Sequence, residues 1–212
     1  MVEKVFWQDP YLSQLKATIA TVSGNDITLD RTIFYAFSGG QESDRGSIGN
    51  CPVVAAGKQG HEIIYTLDAG HSLKPGDRVV VEIDWPRRYR LMRLHFACEL
   101  VLELVYRALA GIEKVGAHIA EEKARIDFLY SESLSSLLPE LTAQVNAIAA
   151  QDLVITSDYS DPTKEKRYWA IEGFSRVPCG GTHLKRTGEI GAVTLKRKNP
   201  GKGKERIEIR VE

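Results

Sequence analysis

The chain is poor in cysteine and carries no net charge. Three cysteines in 212 residues (Cys51, Cys98, Cys179) are too few, and odd in number, for a disulfide framework. In a reducing compartment, a cysteine with a histidine nearby points instead to metal binding or catalysis. No apolar run approaches the roughly 20 residues that a membrane helix needs, so no membrane partner is expected. The opening Met-Val-Glu-Lys-Val-Phe-Trp-Gln-Asp-Pro has acids where a signal peptide has bases and lacks a long apolar core, so the chain reads as cytoplasmic. A hydrophobic share of 43% and a charged share of 26% exclude disordered and collagen-like classes.

The charge that is present is unevenly placed. Between Lys185 and Arg206 stand eight bases against two acids, a local +6 that leaves −6 for the rest. A second basic knot, Arg87, Arg88, Arg90 and Arg93, sits at mid-chain. Concentrated bases on a neutral chain suit a polyanion bound at one place. They also suit a solvated hairpin with lysines guarding a sheet edge.

The pattern predicts an α+β chain in two parts. Residues 1–84 read as a small β-rich, barrel-like domain. Ala17 to Asp30 alternates around the turn Ser23-Gly24-Asn25-Asp26, and His61–Leu67 and Arg78–Ile83 flank the turn Lys74-Pro75-Gly76-Asp77. Residues 85–212 read as an α/β domain with an antiparallel sheet and two main helices. The first, Tyr89 to Ala110, is apolar nearly all round and therefore buried; the second is amphipathic, Leu134 to Ala150. Further strands are expected at Tyr168–Ile171, Gly188–Lys196 and Arg206–Val211.

Three groups could carry chemistry. On the first helix His95 and Glu99 stand four apart, hence on one face, within reach of one metal. In Pro178-Cys179-Gly180-Gly181-Thr182-His183 the paired glycines allow a tight path that turns Cys179 and His183 to one point. Together the pairs offer two nitrogens, a thiolate and a carboxylate, all of which zinc accepts. Neither pair decides alone, since the helical pair also reads as a solvated stripe and the glycine pair as a plain turn. The third group is Phe34-Tyr35-Ala36-Phe37-Ser38-Gly39-Gly40-Gln41, a glycine-rich loop in which Gln41 supplies directional hydrogen bonds.

The ordered set resembles a known family. The glycine-rich loop, Arg93-Leu94-His95, Gly116-Ala117-His118 through Phe128, Cys179-Gly180-Gly181-Thr182-His183 and Gly201-Lys202-Gly203-Lys204 run from about Trp7 to Val211. They resemble the editing region of alanyl-tRNA synthetase and its free-standing relatives, the alanyl-tRNA editing proteins of the AlaX type. The resemblance implies a hydrolase that removes wrongly attached serine, and sometimes glycine, from tRNA(Ala). It implies zinc held by His95, Cys179 and His183. Glu99 departs from the pattern, which has histidine there, and either ligates the metal or serves as a general base. By the same resemblance Thr32 faces the seryl hydroxyl, and Gln41 and Cys179 belong to the catalytic set. Arg87, Arg88, Lys202, Lys204 and Arg206 are then the candidates for acceptor-end phosphates, with tRNA(Ala) rather than DNA as partner. Monomer and homodimer both stay open. So do two other readings: a deacylase for a different mischarged tRNA, and a non-catalytic tRNA-binding module with a decayed site.

Overall fold

The computed structural model describes residues 2–212 as a mixed α/β chain, with antiparallel sheets and one short parallel pairing, in two compact units. The first comprises the chain up to Ser38 together with Glu42–Tyr89; the second comprises Gly39–Gln41 and Arg90–Glu212.

In the first unit β1 (Glu3–Lys4) leads into a single helical turn, α1 (Val5–Gln8). Then follow β2 (Gln14–Ser23), β3 (Asp26–Leu29), β4 (Arg31–Thr32), β5 (Gly46–Ile48), β6 (Cys51–Gln59), β7 (Glu62–Leu67) and β8 (Arg78–Ile83). Six of them pair in a ring, β2-β3-β7-β6-β5-β8, closed by β8 against β2, while β1 pairs in parallel with β4. Alternation builds the interior. Ile63, Tyr65 and Leu67 of β7 and Val79, Val81 and Ile83 of β8 point inward, and their neighbours face out. Ser23 pairs with Asp26 across a two-residue loop, and Gly24 takes the positive φ of 62° that the first central position of such a hairpin needs.

The long helix α2 (Trp85–Ala108) starts four residues before the periodicity alone predicts. Asp84 is the reason: its carboxylate accepts from Arg87 N at 3.1 Å and its carbonyl from Arg88 N at 2.9 Å, and Pro86 fits the first turn. The apolar stretch Leu91–Val105 is buried as expected, interrupted only by Arg93, Glu99 and Glu103 at intermediate exposure. Glu99, Glu103 and, just beyond the stretch, Arg107 run along one line of partners. Glu99 meets Trp169, Glu103 accepts from Ser175 Oγ at 2.6 Å, and Arg107 donates to the Phe174 carbonyl.

The remainder of the second unit is β9 (Glu113–Ile119), β10 (Ala124–Leu129), α3 (Leu138–Ala150), β11 (Thr156–Asp161), β12 (Lys166–Ile171), β13 (Ser175–Pro178), β14 (Val193–Gly201) and β15 (Lys204–Val211). They form a four-stranded sheet, β14-β15-β10-β9, and a three-stranded one, β11-β12-β13. The second helix is shorter than its apolar pattern. Leu134–Ser136 is a 3₁₀ turn, and the α-helix begins only at Leu138, with Pro139 in its first turn. Likewise Thr187–Ile190 is a 3₁₀ turn and the strand expected from Gly188 starts at Val193. Asn146 fastens α3 to β14 through a reciprocal pair with Val193, 2.8 Å in each direction. Among the described residues no helix is long and apolar enough to cross a membrane.

Candidate metal centre

Three segments converge in the second unit. Helix α2 presents His95, the turn after β13 presents Cys179 and His183, and the strap Gly39–Gln41 presents Gln41. The strap is held by a parallel bridge between Gln41 and Ile119 and by Ile119 N donating to the Gly40 carbonyl at 2.8 Å. Gly40 is required there, because its φ is 89° and a Cβ would lie 2.6 Å from the Ala117 carbonyl oxygen. Gly181 answers a similar constraint: a Cβ would lie 2.9 Å from both ring nitrogens of His95.

Among the described residues, His95, Cys179 and His183 form a group whose donor atoms all lie within 4.8 Å of one another. The Nε2 atoms of both histidines stand 3.2 Å from Cys179 Sγ. Tetrahedral zinc, with Zn–S near 2.3 Å and Zn–N near 2.0–2.1 Å, separates sulfur and nitrogen ligands by about 3.5 Å. The donors therefore stand almost at ligating separation. Each imidazole is also oriented through its other nitrogen, His95 Nδ1 at 2.7 Å from Gln41 Oε1 and His183 Nδ1 at 2.9 Å from Ser157 Oγ. With Nδ1 so engaged, Nε2 is in each ring the nitrogen that faces the sulfur, the orientation in which outer partners hold a metal-ligating histidine. Gln41 is itself fixed, its Nε2 donating to Thr182 Oγ1 at 3.0 Å, and Cys179 N donates to the Arg167 carbonyl at 3.0 Å. The donor set and its outer partners fit a divalent metal.

Glu99 lies beside this group rather than within it. Its Oε1 is 3.4 Å from His95 Nε2 and 3.8 Å from Cys179 Sγ, and its Oε2 accepts from Trp169 Nε1 at 2.9 Å. Burial opposes its charge, but His95 and the indole N–H outweigh burial and hold the carboxyl at about 2. Burial likewise opposes a charge on His95, yet Cys179 and Glu99 lift it to about 10. Burial, together with the neighbouring His95, pushes His183 well below the usual histidine range. A cysteine sulfur and a carboxylate side by side, both of intermediate exposure, favour a cation there.

The remaining expected residues each have partners of their own. Thr32, on β4 in the first unit, is fully buried; its Oγ1 accepts from Phe34 N at 3.0 Å and bonds the Tyr65 hydroxyl at 2.8 Å. Burial raises the Tyr65 phenol well above its ordinary range, so it stays protonated. Arg88 is wholly buried in that unit, paired with Asp44 and donating to the carbonyls of Ile33 and Pro10. Arg87 is also buried and pairs with Glu42 at 2.6 Å. Both guanidinium groups are committed inside the fold instead of facing solvent. Arg206 pairs with Asp127 through two bonds of 2.6 and 3.1 Å. Lys202 and Lys204 are exposed at the tip of the β14–β15 hairpin.

Sequence reasoning missed Ser157, Trp169 and Thr182. Thr182 lies inside the Cys-Gly-Gly-Thr-His stretch and could have been read there. Ser157 and Trp169 carried no signal, because each meets its partner only through the pairing of β11 with β12.

A family model described as the threonyl and alanyl tRNA synthetase second additional domain matches residues 168–208, which include Cys179 and His183. The chain is 33% identical to the alanyl-tRNA editing protein AlaX-M of Pyrococcus horikoshii, over 100% of this chain and 99% of that protein. It is 32% identical to AlaX-M of Saccharolobus solfataricus, over 98% of each. It is also 31% identical to the alanine–tRNA ligase of Pyrobaculum neutrophilum, over 92% of this chain but only 25% of the ligase. With full-length likeness of this degree, the chain belongs to the alanyl-tRNA editing protein family of the AlaX-M type.

Proposed function

We propose that this chain is an aminoacyl-tRNA deacylase. It acts in trans on mischarged tRNA(Ala), serine first and glycine second, by ester hydrolysis at a zinc-type centre. The observation that carries the reading is the convergence of two oriented imidazoles on one cysteine sulfur. Zinc, when bound by His95, Cys179 and His183, supplies Lewis acidity toward an ester carbonyl or orients the terminal ribose.

The chain's own residues do the rest. Gln41 holds the Nδ1 proton of His95, Ser157 engages Nδ1 of His183, and Thr182 pins Gln41. Thr32 supports selection of serine. Its hydroxyl has one donor and two acceptor positions, and the bonds to Phe34 N and Tyr65 use two of the three. The third position would meet a substrate hydroxyl, which alanine lacks, only once the fully buried Thr32 is uncovered. A site built to bond a hydroxyl discriminates against the analogue without it by up to about 10⁴–10⁵. Exposed Lys202 and Lys204 are the bases placed to meet acceptor-stem phosphates.

The test is single-turnover hydrolysis of Ser-tRNA(Ala), Gly-tRNA(Ala) and Ala-tRNA(Ala). Rapid loss of serine, slower loss of glycine and spared alanine are expected. Ser-tRNA(Ala) that decays no faster than the uncatalysed ester would sink the reading. Glu99 favours one second reading, a deacylase for another mischarged amino acid, and the same assay run over other misacylated tRNAs separates the two.

A further inference from the structure

The two carboxylate oxygens of Glu99 are used differently. Oε2 accepts from Trp169 Nε1 at 2.9 Å, whereas Oε1 stands 3.4 Å from His95 Nε2 and 3.8 Å from Cys179 Sγ. In a tetrahedral centre with metal–nitrogen and metal–oxygen bonds near 2.0–2.2 Å, adjacent N and O ligands lie about 3.4 Å apart, and S and O about 3.6 Å. Oε1 therefore stands at ligating separation from those two donors, while lying outside the group within 4.8 Å that His95 and Cys179 form with His183. The indole that holds its sister oxygen is rigid. Trp169 is fully buried on β12, on the same face as Ser157 and Val177, and packs edge-on against Phe96 with centroids 5.1 Å apart at 67°.

A free carboxylate beside a metal can bind through either oxygen or both, and can swing away. A donor fixed on one oxygen removes that freedom, and outer partners of this kind typically govern ligand orientation and affinity. We propose that Trp169 is a positioning residue of the metal centre. Its N–H occupies Glu99 Oε2 and so presents Oε1 alone as the fourth ligand of a centre with two nitrogens, one sulfur and one oxygen. The inference rests on the metal reading given under Proposed function and adds to it a coordination number, a binding mode and a residue outside the ligand set. It also balances charge, because a thiolate and a one-oxygen carboxylate together neutralise a divalent cation.

The rival account is structural: Glu99 satisfies a buried indole N–H and has no bearing on a metal. Trp169→Phe separates the two, because it keeps an aromatic ring against Phe96 and deletes the donor. The probes are zinc in competition with a chromophoric chelator, and cobalt(II), whose visible bands are strong in four-coordinate sites and weak in higher coordination. Trp169→Phe is expected to weaken zinc binding about 10- to 100-fold, in line with other outer-partner losses. The visible cobalt bands should weaken, while the thiolate-to-cobalt charge-transfer band persists because Cys179 is untouched. In a Glu99→His background, where the fourth ligand has no second oxygen to hold, adding Trp169→Phe should leave zinc affinity within about twofold. Trp169→Met, which fills the space without a donor, carries the same test if the phenylalanine variant does not fold. Unchanged zinc affinity and cobalt bands in a folded Trp169 variant overturn the positioning role, even if its melting temperature falls. A wild-type chain that takes up neither metal overturns the metal reading, and this inference with it; the wild-type titration tells that failure apart from the first.

Discussion

Gly181→Ala tests how tightly the centre is built. The new Cβ would lie 2.9 Å from both ring nitrogens of His95, and closer still to the ring carbon between them, where ordinary contact begins at 3.4 Å. One partner has to move. The imidazole cannot turn aside freely, because it is buried, tied through Nδ1 to Gln41 at 2.7 Å and flanked by Cys179 at 3.2 Å. Relief requires a shift of about 1 Å, and an overpacked core site of this kind typically costs about 1–3 kcal/mol. Metal sites tolerate much less, about 0.2 Å in ligand distances. The variant should therefore lose zinc affinity at least about 10-fold, with its metal-free stability lowered by about 1–3 kcal/mol. Chelator competition reads the first quantity and urea unfolding with chelator present reads the second. Zinc affinity equal to wild type would refute the claim that Gly181 admits the His95 ring at ligating position.

Other substitutions address separate parts of the molecule. Thr32→Val keeps shape but leaves Phe34 N–H without its acceptor, a loss of about 1–3 kcal/mol by urea unfolding, and should erode the preference for seryl over alanyl ester; an unchanged preference would remove Thr32 from substrate selection. Glu205 is held below the usual carboxylate range chiefly by Arg197, which donates twice at 2.6 Å, so its contribution to stability is present above about pH 4.3 and fades as pH falls through the lowered value. Glu205→Gln should accordingly lower the urea midpoint at neutral pH, with the gap to wild type closing below about pH 4; a gap that stays constant with pH would contradict the pairing. Lys202→Gln with Lys204→Gln should leave stability within about 0.5 kcal/mol and make the logarithmic salt slope of tRNA binding shallower by about one for each phosphate no longer neutralised, whereas an unchanged slope would place the RNA elsewhere.

What the sequence disclosed follows from how local each signal is. Strand β8 has the predicted bounds because Arg78-Val79-Val80-Val81-Glu82-Ile83 alternates between turns, and the centre of α2 is buried because its apolar residues leave no polar face. Cys179 and His183 were legible as a pair because a double glycine acts over a few residues, whereas His95 joined them only through the family resemblance, its helical spacing of four tying it to Glu99 instead. Other elements gave no such signal. Strand β6 contains Pro52, Ala55, Ala56 and Gly57 and is mostly exposed, so pairing with β7 rather than propensity creates it. Strand β11, Thr-Ser-Asp-Tyr-Ser-Asp, is polar throughout and gains its order from β12. Arg87 and Arg88 of the arginine knot looked like surface charge because the carboxylates that pair with them, Glu42 and Asp44, lie more than forty residues upstream. The return of Gly39–Gln41 to the second unit depends on a bridge to Ile119, again a non-local event.

The most direct test of the central claim is the metal content of tag-free protein purified with zinc and then dialysed against metal-free buffer, beside Cys179→Ala handled identically. One zinc per wild-type chain and essentially none in the variant are predicted, with hydrolysis of Ser-tRNA(Ala) lost in parallel. Zinc retained in full by Cys179→Ala, or a zinc-free wild type that still hydrolyses Ser-tRNA(Ala) at full rate, would contradict the claim.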